Sequence, residues 1–203
     1  MKARSKNRPE NMRNDTHESL KGLSLEELWQ LFPIVLTAHR AEWAEWYEQE
    51  AETLKKELPR LLRISHIGST AIRGMRAKPT VDLLAEVAPG QKLADLKAPV
   101  EGCGYLCMAE TDRRIDFNKG YTPQGYAERV FHLHLRHAGD NDELYFRDYL
   151  RTHAAAARAY ERLKVDSARR YEHDRDAYTR CKSEFVTFYT QEGRRLFAGK
   201  YDL

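Results

Sequence analysis

The chain has no apolar run near the ~20 residues that a bilayer-crossing helix needs, and its start has no hydrophobic segment of a signal peptide. No membrane partner is expected. Cysteine is scarce: Cys103, Cys107 and Cys181 form an odd set without a C-x-x-C spacing, so they read as reduced thiols packed as small hydrophobes in a cytoplasmic protein, not as metal ligands or a nucleophile. Charge of one sign is lacking as well. The formal net charge is +3, and residues 1 to 14 carry more than that excess, since Lys2, Arg4, Lys6, Arg8 and Arg13 face only Glu10. The remainder is slightly acidic, which argues against nucleic acid as a partner of the folded body. No linker rich in Pro, Gly or Ser and no internal repeat divides the chain. Residues 1–22 therefore read as a disordered basic leader and 23–203 as one domain, sheet-rich over 34–137 and helical over 142–198.

The most informative stretch runs from His66 to Glu86. Leu61–Ile67 reads as an apolar strand that breaks into Gly68-Ser69-Thr70, followed by a loop punctuated by Gly74 and Pro79 and a second strand from Thr80. Glycine lets a ligand approach the backbone, and successive N–H groups with two hydroxyls make a concave donor site, so this turn reads as a phosphate cradle. Alternation on the second strand puts Val81, Leu83 and Ala85 on one face, with Asp82, Leu84 and Glu86 on the other. A Gly-Ser turn followed at this distance by a strand aspartate resembles the nucleotidyltransferase superfamily pattern, in which the turn holds triphosphate and strand carboxylates hold divalent metal. The second acid of that pattern is replaced by Leu84, and Glu86 stands ~13 Å along the strand from Asp82.

Elsewhere the periodicities set out the elements. Ser24 with Glu27 has capping-box spacing, Pro33 stops that helix, and Ile34–Leu36 reads as an edge strand. Trp43, Trp46, Tyr47, Leu54 and Leu58 recur at helical spacing over 41–58, and 91–100 reads as a modest helix. Strands are expected over 102–108 and 114–118, then a flexible polar loop over 119–125. On the strand 130–136, Phe131, Leu133 and Leu135 supply a buried face, so His132, His134 and Arg136 emerge together on the other. Imidazoles at i and i+2 are ~7 Å apart at the backbone, close enough to ligate one metal, or else they hydrogen-bond across a sheet. Helices follow over 142–152, 154–168 and 171–196. This order predicts an α+β fold with the sheet covered on one side.

Leu28-Trp29-Gln30-Leu31-Phe32-Pro33, His66 to Ala71, Ala77 to Asp82, Phe131-His132-Leu133-His134 and Tyr145-Phe146-Arg147-Asp148-Tyr149-Leu150, in this order, resemble the GrpB family. The resemblance covers nearly everything after the leader. It implies a nucleotidyltransferase-like mixed sheet with flanking helices and a helical C-terminal part. It matches Gly68 and Ser69 to the phosphate-binding turn and Asp82 to the first metal-binding acid, while His66, Thr70, Lys78, His132, His134, Arg147 and Asp148 match motifs without an established role.

Two classes of function follow. As an enzyme, the protein would transfer a nucleotidyl group from a nucleoside triphosphate to an acceptor with divalent Mg or Mn, using Asp82, His132 and His134 as catalytic groups. Asp82, Asp116 and His134 would then hold metal, and His66, Gly68, Ser69, Thr70, Lys78 and Arg147 the phosphates. As a binding module, the same residues would hold a nucleotide or another phosphorylated small molecule without turnover. Leu84 favours the module. A histidine-centred metal hydrolase is a third class, and Arg147-Asp148 reads first as a salt bridge holding a helix to the sheet.

Overall fold

The computed structural model describes residue 20 and residues 22–202, so the expected leader lies outside the described residues except for Leu20 and Gly22. Ser24 caps α1 (Leu25–Leu31) as a capping box: its hydroxyl accepts the Glu27 N–H at 3.2 Å, and the Glu27 carboxylate accepts the Ser24 N–H at 2.8 Å. The chain continues through α2 (Glu42–Glu57), β1 (Leu61–Ile67), a 3₁₀ turn (Ser69–Ala71), β2 (Thr80–Val87), α3 (Lys97–Gly102), β3 (Leu106–Glu110), β4 (Arg114–Thr122) and β5 (Gly125–His137). Three helices end it: α4 (Asp142–Thr152), α5 (Ala154–Arg170) and α6 (Arg175–Leu196). The strands form one sheet in the order β1-β2-β5-β4-β3, parallel between β2 and β5 and antiparallel at the other junctions. This is the α+β order that the residue pattern predicts and the mixed sheet with flanking helices and a helical C-terminal part that the family resemblance implies. Among the described residues no helix is long and apolar enough to cross a membrane.

The sheet is covered on both faces, not one. Val81, Leu83, Ala85, Phe131, Leu133 and Leu135 pack under Trp43, Trp46, Leu54 and Leu58 of α2, while Leu84 and Ile67 on the opposite face meet Leu144 and Tyr145 of α4. An unbroken apolar pair, Leu83-Leu84, is what a strand buried from two sides requires. A further departure lies at the expected edge strand: Ile34 instead gives its N–H to the Glu172 carbonyl at 2.9 Å, and only an isolated Thr37–Ala77 bridge forms nearby. The expected polar loop over 119–125 is in fact the tip of the β4–β5 hairpin, where Tyr121 pairs with Tyr126. Gly120 hides this strand from sequence reading. It sits at φ 90° where the register slips, and a Cβ there would overlap the Arg129 carbonyl, so the glycine marks a bulge. Cys103 and Cys107 pack against the core as expected, whereas Cys181 is exposed.

Glu86 belongs to this framework. Its carboxylate is fully buried, accepting from Arg63 at 2.5 and 2.8 Å and from Asn141 at 3.0 Å. Removing one member of a buried pair leaves the other uncompensated, so Glu86→Ala is expected to lower unfolding free energy by about 3–5 kcal/mol in chemical denaturation.

Candidate functional site

A cavity of about 290 Å³ lies between the Gly68–Thr70 turn, β2, β5 and the last two helices. Backbone pairing places its floor. Ile67 pairs with Asp82 across β1–β2, so the turn starts where the aspartate passes, and the parallel β2–β5 register sets Asp82 beside His132. Gly68, at φ 69°, could not be another residue without distortion, because a Cβ would overlap the Asp82 carboxylate. The walls come from the C-terminal helices: Tyr160 and Lys164 of α5 are four residues apart, and Arg175, Tyr178, Thr179 and Lys182 of α6 fall at i, i+3, i+4 and i+7, one face of a helix.

A hydrogen-bonded chain crosses the floor. His132 Nδ1 is 3.0 Å from Asp82 Oδ1, Tyr121 Oη is 2.8 Å from His132 Nε2, and Arg175 donates to Tyr121 Oη at 3.4 Å and to Tyr126 Oη at 2.9 Å. A carboxylate only accepts, so His132 carries its hydrogen on Nδ1 and accepts from Tyr121 on Nε2. Burial acts to raise the Asp82 pKa, but the hydrogen bond and charge of His132, with His134 and Lys78, outweigh it and hold the carboxyl below its ordinary value. Burial keeps His132 below its own ordinary value despite Asp82.

Cations dominate the remainder of the lining. Burial pushes Lys78 and Lys164 down to about 7 and Lys182 to about 8; neighbouring cations push Lys78 and Lys164 the same way, and Asp82 opposes in all three. Lys164 is buried with its ammonium on the Arg76 carbonyl. Among the described residues no carboxylate lies within ion-pairing distance of Lys78, Lys164, Arg175 or Lys182. Arg175 Nε is buried without a hydrogen-bond partner, an arrangement that is costly unless something else supplies an acceptor.

Of the residues singled out from sequence, Gly68, Ser69, Thr70, Lys78, Asp82 and His132 meet at this cavity. His66 does not line it. Its ring stacks on Tyr47 with centroids 4.9 Å apart, and Nε2 lies 3.0 Å from Thr70 Oγ1, whose hydrogen goes to the Thr80 carbonyl at 3.1 Å. His66 thus pins the turn, with burial lowering its pKa to about 4. Because protonation then favours the unfolded chain, stability is full above pH ~6.5 and falls as pH drops toward 4, by roughly 3 kcal/mol, with His132 adding in the same sense. Urea titrations across that window should show a slope that shrinks in His66→Gln. Arg147 is also placed elsewhere: it donates to Asp148 at 2.8 Å, the His66 carbonyl at 2.9 Å and Tyr201 Oη at 2.8 Å, fastening α4 to β1 and the C-terminus.

Asp116 and His134 share the sheet face of Asp82 but form a separate group, in which Asp116 Oδ1 accepts from His134 at 2.8 Å and from Arg136 at 2.8 Å. Burial alone would raise the Asp116 pKa, and these two partners hold it well below the carboxylate range. The set Asp82, Asp116 and His134 therefore does not fit a divalent ion. Among the described residues no three His, Cys, Asp or Glu side chains are placed to hold a metal. The sequence reading missed Tyr121, Tyr160, Lys164, Arg175, Tyr178 and Lys182, all at or beside the cavity. The one signal available for the helical members was basic and aromatic residues alternating at three-and-four spacing on α5 and α6, a pattern that also suits core packing.

The sequence model described as GrpB protein matches residues 33–192. A UPF0157 protein of Pseudomonas aeruginosa is 40% identical over 79% of this chain and 67% of its own length, and the UPF0157 protein YqkA of Bacillus subtilis is 29% identical over 92% and 55%. The chain thus spans little more than half of the second relative. Among solved structures, the conserved protein GrpB from Enterococcus faecalis superposes with a TM-score of 0.70 at 29% identity, over 80% of this chain and 99% of that one. The matched segment takes in the turn, Asp82, His132 and all but the end of α6, and by it this chain belongs to the GrpB family.

Proposed function

We propose that the cavity binds the phosphates of a nucleoside triphosphate or a related phosphorylated metabolite. The observation that carries this reading is the imbalance of charge: Lys78, Lys164, Arg175 and Lys182 converge on one cavity with Asp82 as the carboxylate among its lining residues and without ion-pair partners among the described residues. An anion restores full charge to the depressed lysines and pairs with the Arg175 guanidinium. Ser69 adds a hydroxyl, and the glycine-led turn lets the ligand reach the backbone. Calorimetric titration with nucleoside triphosphates beside the unphosphorylated nucleosides tests the proposal. Saturable binding of the phosphorylated compounds alone is expected; no binding by any of them would reject it.

Nucleotidyl transfer is a second reading, favoured by Asp82 packing directly against the Gly68 turn. Asp82 fixes the imidazole hydrogen on Nδ1, so His132 would take up a proton at Nε2 through the Tyr121 hydroxyl that bonds it. Product formed from a triphosphate and a candidate acceptor, lost in Asp82→Asn, would favour transfer; binding without turnover favours the module.

A further inference from the structure

Resting on the phosphate reading above, we infer that this cavity neutralises its ligand with protein side chains in place of a divalent metal ion, and that linked phosphates bind it in the absence of metal. The donor chemistry points this way from two sides. A metal ion needs several converging oxygen or nitrogen ligands, and Mg²⁺ in particular a near-octahedral shell. Here Asp82 Oδ1 is taken by His132, and Oδ2 lies against the Gly68 backbone. His132 uses its other nitrogen on Tyr121. Asp116 is turned to His134 and Arg136.

The cationic side is the better furnished. A terminal phosphate carries ~1.5–2 negative charges at pH 7, so Lys78, Lys164, Arg175 and Lys182 suffice for more than one phosphate. The groups facing these cations are Asp82 from β2, Tyr121 from β4, Tyr126 and His132 from β5, Tyr160 and Glu161 from α5, and Tyr178 and Cys181 from α6. A free divalent ion placed beside the Arg175 guanidinium and three partly protonated lysines would meet repulsion that a single carboxylate does not offset. Arg175 lines the cavity as a guanidinium with no carboxylate paired to it among the described residues, a charge that a phosphate satisfies and a metal ion does not.

The test is calorimetric titration of the full chain with inorganic tripolyphosphate, once in EDTA and once in excess MgCl₂. Binding in EDTA at least as tight as in MgCl₂ is expected, weakened about tenfold or more by Lys182→Met, whose half-exposed side chain can be changed without opening the core. Binding that requires MgCl₂ would overturn metal-free neutralisation while leaving the phosphate reading intact. No saturation under either condition would overturn both, and binding in EDTA unaffected by Lys182→Met would overturn the assignment to this cavity.

Discussion

Replacing Lys78 and Lys182 together by methionine is expected to weaken nucleoside triphosphate binding by at least about 100-fold, since each charged hydrogen bond contributes about 1.5–3 kcal/mol. Both side chains line the cavity, Lys78 from the loop before β2 and Lys182 from α6. Methionine keeps the length of the apolar stem, so unfolding free energy should change far less than affinity. The same cations fix the pH dependence. Lys78 and Lys164 lose their protons near pH 7 and Lys182 near 8 in the empty cavity. Affinity should therefore fall as pH rises through 7 to 9, because an ever larger share of the binding energy goes into protonating the lysines. Titrations stepped across that range check this, and affinity that is flat or rises with pH would contradict the role given to the lysines.

Gly68→Ala should be the most damaging single change at the site. A positive φ costs an L-residue about 1–2 kcal/mol, and here the new methyl also overlaps the Asp82 carboxylate, which would have to leave His132. Gly74 provides an internal control, since it has φ 80° but no atom within 4 Å of an added Cβ. Gly74→Ala should show only the backbone cost. Gly68→Ala should show that cost, an additional penalty of about 1–3 kcal/mol from overpacking, and loss of triphosphate binding. Equal destabilisation of the two variants in urea would mean that the close approach of turn and carboxylate has no energetic role.

The strands were legible where alternation and burial agree. Leu61–Ile67 and Thr80–Val87 read directly from sequence, as did the common face of His132 and His134, because a period of two leaves little freedom once Leu133 is buried; the parallel β2–β5 register that adds Asp82 to that face did not. What escaped were features set by partners distant in sequence. Tyr121 looked like loop because Gly120 breaks the strand pattern, although the bulge is what turns Tyr121 toward His132. The helices of the C-terminal part were located closely, yet their function was not legible: Tyr160 and Tyr178 have the spacing of core residues and are buried, and they border the cavity nonetheless. Arg147 and His66 illustrate the reverse. Both carry the chemistry of a phosphate site, and tertiary contacts commit both to holding β1, the turn and α4 together.

The most direct test is a crystal structure of the protein with a non-hydrolysable nucleoside triphosphate analogue. Phosphate density between the Gly68–Thr70 turn and Lys164, Arg175 and Lys182 is the predicted result. Phosphates bound on another surface, with these side chains unchanged and the cavity filled only by water, would contradict the central claim.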